Sequence, residues 1–254
     1  SLNTVPFVNK NWEWTVGLTF AYNKNEIIEL YDGLTQDRGN KWFVGKPLQV
    51  ELLYKYDGVW QTEEVEEAKK YGYEPGNPKV KDVNLNGKYD QDDQFIYNKI
   101  PKFTGGLNTT LKYRNLDLNL YFRGNLGYQI YDVHDLYYGL QDAAPNTNVL
   151  ESAYKENRKI TTGKNVHSSY FVHNGDFMKL DVATLGYTWN INNKWVEKAR
   201  FYITGRNLFT ISGYHRGLDK DAYCVNGMEP GLPYSKNGYY PSSRQFLFGI
   251  QLNF

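Results

Sequence analysis

Alternation of apolar and polar residues over long segments constrains this chain more than any other feature of its sequence. Between residues 12 and 22, one set of alternate positions holds Trp, Val, Leu, Phe and Tyr, and the other holds Glu, Thr, Gly and Ala. A period of two places these sets on opposite faces of a β-strand, whereas an amphipathic helix repeats every 3.6 residues. The same pattern occurs in residues 103–113, 116–124 and 246–254, and we predict a strand in each.

Two further segments are predicted as strands although their alternation is less regular. In residues 177–189, Met178 is out of phase with Leu185, and a β-bulge near residues 182–183 would bring both onto one face. Residues 199–209 have apolar residues at two alternate positions, with arginine, tyrosine and threonine between them. The prediction is therefore six strands in all.

The length of these segments indicates a membrane-spanning wall. They run for 9–11 residues or slightly more, which suits a tilted strand that crosses a bilayer, whereas strands of soluble proteins average about 5–6 residues. Aromatic residues lie at the ends of the apolar faces and aliphatic residues in the middle, as in a lipid-facing barrel wall. We predict an all-β fold, an antiparallel transmembrane β-barrel segment. A soluble, calcium-binding β-sandwich that binds carbohydrate at a cell surface would also alternate, and it stays open as the alternative.

Hydropathy is consistent with a barrel and excludes membrane-spanning helices. The mean hydropathy is −0.66 and no run of 18 apolar residues occurs. A barrel strand shows only alternate residues to lipid, so its average hydropathy stays low.

The connections between predicted strands alternate between short and long. Arg114-Asn115 joins one pair and residues 190–198 join another, whereas residues 24–102, 125–176 and 210–244 form much longer connections. This alternation places every long loop at one rim, as in outer-membrane barrels with short periplasmic turns and long extracellular loops. Six strands are too few to close such a barrel. We therefore expect residues 1–254 to be the C-terminal part of a longer barrel protein.

Residues 82–93 carry oxygen-bearing side chains at the spacing of a twelve-residue calcium-binding loop. Such a loop takes ligands from positions 1, 3, 5, 7, 9 and 12 and turns sharply at a glycine in position 6. Gly87 is at position 6. The candidate calcium ligands are Asp82, Asn84, Asn86, Lys88 through its backbone carbonyl, Asp90 and Asp93.

The composition of this loop predicts a weak, structural calcium site. Asp93 is shorter than the usual glutamate at position 12, and two asparagines lower the charge of the site. We expect a dissociation constant on the order of 10⁻⁴ to 10⁻³ M and a stiffening role for the ion. An Asx-rich turn without an ion is the alternative.

Two short helices are predicted inside the long loops. Thr62 is placed to cap a helix over residues 63–71, which ends before Gly72 and is charged on nearly every side, as expected of a solvated helix. Residues 147–158 are expected to contain another helical turn.

Several functional classes are excluded or disfavoured. The net charge of +1 gives no electrostatic basis for binding nucleic acid, and the single Cys224 excludes a disulfide framework. No nucleophile, zinc-protease or phosphate-loop motif is present, so we predict that the chain is not an enzyme. Loop aromatics could stack on sugar rings or peptide side chains, or could pack the loops together. These aromatics are Trp42, Trp60, Tyr137, Tyr138, Tyr223, Tyr239 and Tyr240.

Several motifs, in this order and spacing, resemble one protein family over nearly the whole chain. They begin at Phe20 (Phe-Ala-Tyr-Asn-Lys-Asn-Glu-Ile-Ile), Tyr56 (Tyr-Asp-Gly-Val-Trp-Gln-Thr-Glu-Glu), Asp82 (Asp-Val-Asn-Leu-Asn-Gly-Lys), Pro101 (Pro-Lys-Phe-Thr-Gly-Gly-Leu-Asn), Phe177 (Phe-Met-Lys-Leu), Thr184 (Thr-Leu-Gly-Tyr), Ile203 (Ile-Thr-Gly-Arg-Asn-Leu-Phe-Thr) and Tyr240 (Tyr-Pro-Ser-Ser-Arg-Gln-Phe-Leu-Phe-Gly-Ile-Gln-Leu-Asn-Phe). The chain resembles the C-terminal part of SusC-like (RagA-type) TonB-dependent transporters of the Bacteroidetes outer membrane.

This resemblance implies a fold and a set of partners. The family forms a 22-stranded barrel in outer-membrane lipid around an N-terminal plug. It imports oligosaccharides or peptides with a SusD-like surface lipoprotein and draws energy from TonB. The plug and the TonB-binding segment are missing here, and Leu2-Asn3 resembles the tail of a preceding strand. The last strand, ending at Phe254, resembles the family's signal for the barrel-assembly machinery. Asn86 stands where the family more often has Asp.

Overall fold

The computed structural model describes residues 1–141, 148–160, 167–214 and 243–254 of the chain, which is dominated by antiparallel β-structure. The strands are β1 (Leu2–Val8), β2 (Trp12–Tyr22), β3 (Gln36–Asp37), β4 (Trp42–Phe43), β5 (Val50–Tyr54), β6 (Tyr56–Val59), β7 (Pro78–Val80), β8 (Gln94–Asn98), β9 (Phe103–Tyr113), β10 (Leu116–Leu126), β11 (Gln129–Tyr131), β12 (Val172–Asn174), β13 (Phe177–Asn190), β14 (Lys198–Ser212) and β15 (Gln245–Asn253).

Helical segments are short and lie between the strands of the loops. The α-helices are α1 (Val65–Tyr71) and α2 (Val133–Tyr138), and the 3₁₀ turns are Tyr31–Gly33, Thr62–Glu64, Gln91–Asp93, Glu151–Tyr154 and Ser169–Phe171. In the described part of the chain, every helix is too short and too polar to span a bilayer.

One seven-stranded antiparallel sheet contains all the long strands. Its order is β1-β2-β9-β10-β13-β14-β15, so each of the five inner strands pairs with the sheet strand that precedes it and the one that follows, and β1 and β15 lie at the edges. The remaining eight strands form four small two-stranded sheets: β3-β4, β5-β8, β6-β7 and β11-β12. The predicted antiparallel wall is therefore confirmed, with its long connections folded into structures of their own.

Strand register keeps apolar residues in continuous rows across the sheet. One row crosses six strands, because each of its members pairs directly with the next. It contains Leu2, Leu18, Leu107, Phe122, Leu180 and Phe209. The next position along each of these strands lies on the opposite face. This second row contains Thr19, Gly106, Arg123, Lys179 and Thr210. The alternation read from the sequence therefore separates the two faces of the whole sheet.

Large side chains of the apolar face are exposed in the part of the chain that the structure describes. Phe248 is 79% exposed and Ile250 is 64% exposed, and among the described residues no second sheet covers these rows. A β-sandwich would bury them between its two sheets. The structure therefore contradicts the sandwich alternative and supports a wall whose apolar face meets lipid.

A bulge in β13 preserves this separation where the sequence alternation slips. Tyr121 pairs with Val182 and Phe122 pairs with Leu180, which leaves Asp181 without an opposite residue. The bulge thus lies at Asp181, one residue before the predicted position. It returns Leu180 to the apolar face, where Leu185 also lies.

The prediction of six strands is wrong by one. Leu2–Val8 is a full strand that pairs with β2, whereas the sequence suggested only the tail of a strand at Leu2-Asn3. Its pairing shifts between Thr4 and Phe7, around Pro6. Proline lacks the N–H that a regular ladder needs, and this explains why the period-two pattern is broken there.

The helix predicted over residues 63–71 also differs in detail. A 3₁₀ turn covers Thr62–Glu64, the α-helix begins at Val65, and the cap is Gln61 rather than Thr62, through a reciprocal capping box with Glu64. The helix is not solvated on every side, because Ala68 is fully buried. In residues 147–158, the described part holds one 3₁₀ turn, Glu151–Tyr154.

Leu120 tests the assignment of the apolar face to lipid. It pairs with Thr109 and Ala183 on that face. Leu120→Arg in the full-length protein is expected to lower the free energy of unfolding in lipid vesicles by about 2–4 kcal/mol if the position is at mid-membrane. Denaturant titration measures this loss. Tyr121→Arg, one residue along on the polar face, is the matched control and should cost less. Equal losses for the two variants would contradict the face assignment.

Candidate functional site: the polar wall and the docked loops

The polar face of the sheet carries ion pairs that connect strands. Arg200 reaches across β13 to Asp117 on β10, with its Nε 2.9 Å from Oδ1 and a second contact from Nη2 to Oδ2. This forked geometry fixes both side chains in direction. Gly186 lies beneath the pair, and a Cβ there would be 2.5 Å from both partners. Only glycine leaves room for the ion pair to lie flat against the wall.

Other polar side chains of this face are also paired with one another. The bulge residue Asp181 contacts both Arg123 and Lys179. Near the short-turn rim, Lys112 lies 3.2 Å from Glu13. Between these pairs, Thr184 and Thr204 are joined by a hydrogen bond of 2.9 Å. The wall therefore presents a hydrogen-bonding, charge-balanced surface suited to the water-filled interior of a barrel.

The first two long loops dock onto each other above this wall. Their shared core contains Leu136, Leu140, Ile160 and Phe171 from the second loop, and Tyr56 and Val59 from the first loop pack against it. The backbone N–H of Tyr56 donates to Ser169 Oγ at 2.9 Å. The loops thus form a packed unit with a common apolar core.

A charged cluster lies in these docked loops. The carboxylate of Glu51 contacts Lys41 and accepts from Lys99 Nζ at 3.0 Å, and 13% of its side chain is exposed. Burial alone would raise the pKa of Glu51, but the two lysines outweigh burial and lower it. Tyr131, whose hydroxyl lies 2.9 Å from His167 Nδ1, has its pKa raised mainly by burial and further by Glu51.

The second loop is also tied to the end of β14. Asp132, fully buried, accepts from the hydroxyl of Tyr214 and caps α2 by accepting from the backbone N–H of Asp135. Asp135 in turn accepts from Asn157 Nδ2 at 3.0 Å. These buried contacts join the second loop to the wall and are structural in kind.

The predicted calcium ligands lie in one tight turn. The backbone N–H of Asn86 contacts Oδ1 of both Asp82 and Asn84, at 3.2 and 3.1 Å, and Asn86 Nδ2 donates to Asp90 at 2.9 Å. Gly87 has a φ of 78° and takes the sharp turn expected of it. The hydrogen bond from Asn86 is the main cause that lowers the pKa of Asp90.

Asp93 has a more specific role in this turn than the sequence indicated. It is fully buried, and its two oxygens accept the backbone N–H groups of Val83 at 2.7 Å and Asp90 at 2.9 Å. Asp93 thereby holds the two ends of the turn together. Among the described residues, no three Asp, Glu, His or Cys side chains come together as a metal-binding group. The side-chain oxygens of Asn84 and Asn86 accept backbone N–H groups of the same turn, from Asn86 at 3.1 Å and from Lys88 at 2.9 Å.

The loop aromatics are distributed between packing and exposed positions. Trp60 is 1% exposed, packed against Ala68 and Tyr73, and has Lys79 Nζ 4.3 Å from its ring centre. It is therefore a core residue of the first loop. Tyr137 is 41% exposed and stays a candidate for stacking, whereas Trp42 and Tyr138 are half-buried. Tyr223, Tyr239 and Tyr240, with Cys224, lie outside the described residues.

Known sequences resemble the chain from end to end, although no protein-family model matches it. TonB-dependent receptor P3 of Formosa agariphila is 28% identical over 291 residues, covering 100% of this chain and 28% of that protein. TonB-dependent receptor SusC of Bacteroides thetaiotaomicron is 27% identical over 277 residues, covering 100% of this chain and 26% of that protein. The chain thus spans about a quarter of the length of these relatives.

Solved structures resemble the fold over the same extent. A structure of the RagAB peptide transporter superposes with a TM-score of 0.70 at 22% identity, covering 98% of this chain and 28% of the matched chain. The RagAB peptide importer in its "open-open" state gives a TM-score of 0.69 at 22% identity and covers 99% of this chain. The predicted location in the outer membrane agrees with these relatives. The chain is therefore similar in sequence to part of TonB-dependent receptors, SusC among them, and similar in fold to about a quarter of a chain of the RagAB transporter.

Proposed function

We propose that this chain forms part of the barrel of an outer-membrane importer that takes up oligosaccharides or peptides with energy from TonB. One observation supports this most directly: a single sheet with a predominantly apolar face and a charge-paired polar face. Such a wall separates lipid from a polar interior. The relatives are named as receptors and a transporter, so the proposal is import rather than catalysis.

The docked loops are proposed to face the substrate outside the cell. All long connections leave the same rim of the sheet, and the first two form one packed unit there. A packed unit can present fixed side chains to a ligand more accurately than separate loops. A SusD-like surface lipoprotein is proposed to cover this rim, since one similar structure is of a two-component complex, RagAB. The TonB complex would act through parts of the transporter outside this chain, and the barrel-assembly machinery would insert the whole protein.

Growth of a strain that lacks the complete gene tests import. The deletion strain should lose growth when an oligosaccharide mixture or a peptide mixture is the sole nutrient source, because such molecules are too large for passive pores. It should keep normal growth on monosaccharides and free amino acids. Complementation with the complete gene should restore growth. Undiminished growth on both mixtures would contradict the proposed function.

We further propose that calcium binds residues 82–93 and stiffens the first long loop. Support comes from the oxygen atoms of Asp82 and Asn84, which converge on one N–H group, and from the side chain of Asp90 on the same turn. When bound, the ion would supply a cross-link between these oxygens. The hydrogen bonds from backbone N–H groups already orient Asp82 and Asp90.

Limited proteolysis of the full-length transporter tests this calcium site. With millimolar calcium, cleavage within residues 82–93 should be severalfold slower than cleavage with chelator. A dissociation constant on the order of 10⁻⁴ to 10⁻³ M requires calcium at such concentrations for high occupancy of the site. Asp82→Asn with Asp90→Asn should remove the calcium dependence. Asp57→Asn, an exposed carboxylate elsewhere in the same loop, is the matched control. The same cleavage rate with calcium and with chelator would rule out the site.

A further inference from the structure

An apolar groove of about 640 Å³ lies on the lipid-facing side of the sheet. It runs between two cross-strand rows of side chains, because directly paired residues of β13, β14 and β15 form its two walls. These rows are Leu185–Ile203–Phe248 and Tyr187–Phe201–Ile250. The floor is the backbone between them, at positions whose side chains belong to the polar face. Its volume is within the range of about 300–1,000 Å³ that is usual for ligand sites.

The groove begins close to the short-turn rim, where two cations are available. Leu116 lines the groove and is two residues from Arg114 in the turn between β9 and β10. Lys194 lies in the turn between β13 and β14, the strands that form the groove. The acidic residues that flank these turns already have partners: Glu13 pairs with Lys112 at 3.2 Å and Glu197 with Lys198 at 3.3 Å. In the part of the chain that the structure describes, no carboxylate forms an ion pair with Arg114 or Lys194.

Aromatic side chains mark the same rim as the level of the lipid headgroups. The ring centres of Trp12 and Tyr113 are 4.3 Å apart, and the guanidinium of Arg114 is 5.4 Å from the Tyr113 ring centre. Trp189 and Trp195 are 56% and 76% exposed on the next hairpin. Tryptophan and tyrosine favour the boundary between hydrocarbon and water. Arg114 and Lys194 are thus at the depth of phosphate groups, and the groove crosses β13, β14 and β15 on the hydrocarbon side of them.

We propose that this groove and rim form a binding site for a phospholipid with an anionic headgroup. One acyl chain lies between the two apolar rows, and the headgroup is held by Arg114 and Lys194. The short turns of outer-membrane barrels face the periplasm, so the ligand comes from the periplasmic leaflet. The proposal depends on the membrane-spanning wall but not on the imported substrate, and the two proposals can therefore fail separately.

Native mass spectrometry of the full-length transporter tests the site. The purified, delipidated protein is offered phosphatidylglycerol or phosphatidylcholine with the same acyl chains. The wild type should retain phosphatidylglycerol in preference to phosphatidylcholine. Arg114→Gln and Lys194→Gln should each lower this preference by about fivefold, the effect of one cation near a membrane surface, and the double variant should lose it.

Two further variants separate a specific site from general lipid contact. Ile203→Trp fills the groove from its wall and should reduce retention of both lipids, while heat-modifiable migration on gels shows that the barrel still forms. Lys46 is a cation in the first long loop, and Lys46→Gln should retain phosphatidylglycerol with the same preference as the wild type. Equal retention of both lipids by the wild type, or an unchanged preference in the double variant, would overturn the proposal.

Discussion

Backbone hydrogen bonding in hydrocarbon is the constraint on which the rest of this structure depends. No water is available there, so every N–H and C=O of a strand must pair with a neighbouring strand. That requirement produces long strands in one antiparallel sheet, each paired with its sequence neighbours among the wall strands. Pairing in turn fixes register, and register decides which side chains meet lipid and which meet the interior.

Irregular positions in the sheet preserve this division. The extra residue at Asp181 would move every later side chain of β13 to the wrong face if the pairing did not shift. A second irregularity lies opposite this bulge in β14. There Asn207 has a φ of 53°, and the pairing of β13 with β14 shifts so that Leu180 pairs with Phe209. Asp181 also contacts Arg123 on the polar face. The bulge thus corrects the register and supplies one partner of an interior ion pair.

The sequence predicted the wall well and the loops poorly, for physical reasons. Alternation is a local signal, and Phe201 and Ile203 lie on the apolar face where their spacing placed them. Leu2–Val8 was missed because Pro6 interrupts its pattern. Trp60 is a core residue through contacts with Ala68 and Tyr73 that are formed only in the folded loop. The pairing of Arg200 with Asp117 joins residues 83 positions apart and has no local signature.

Site accessibility along β10 in the membrane tests the central claim most directly. Spin labels would be attached one at a time at residues 116–123 of the full-length protein, with Cys224 replaced by serine, and their collision rates measured with oxygen and with a water-soluble nickel complex. The account predicts strict alternation: labels at Leu116, Leu118, Leu120 and Phe122 collide mainly with oxygen, and those at Asp117, Asn119, Tyr121 and Arg123 mainly with nickel. Rates without a period of two, or low access to oxygen at the four apolar positions, would contradict it.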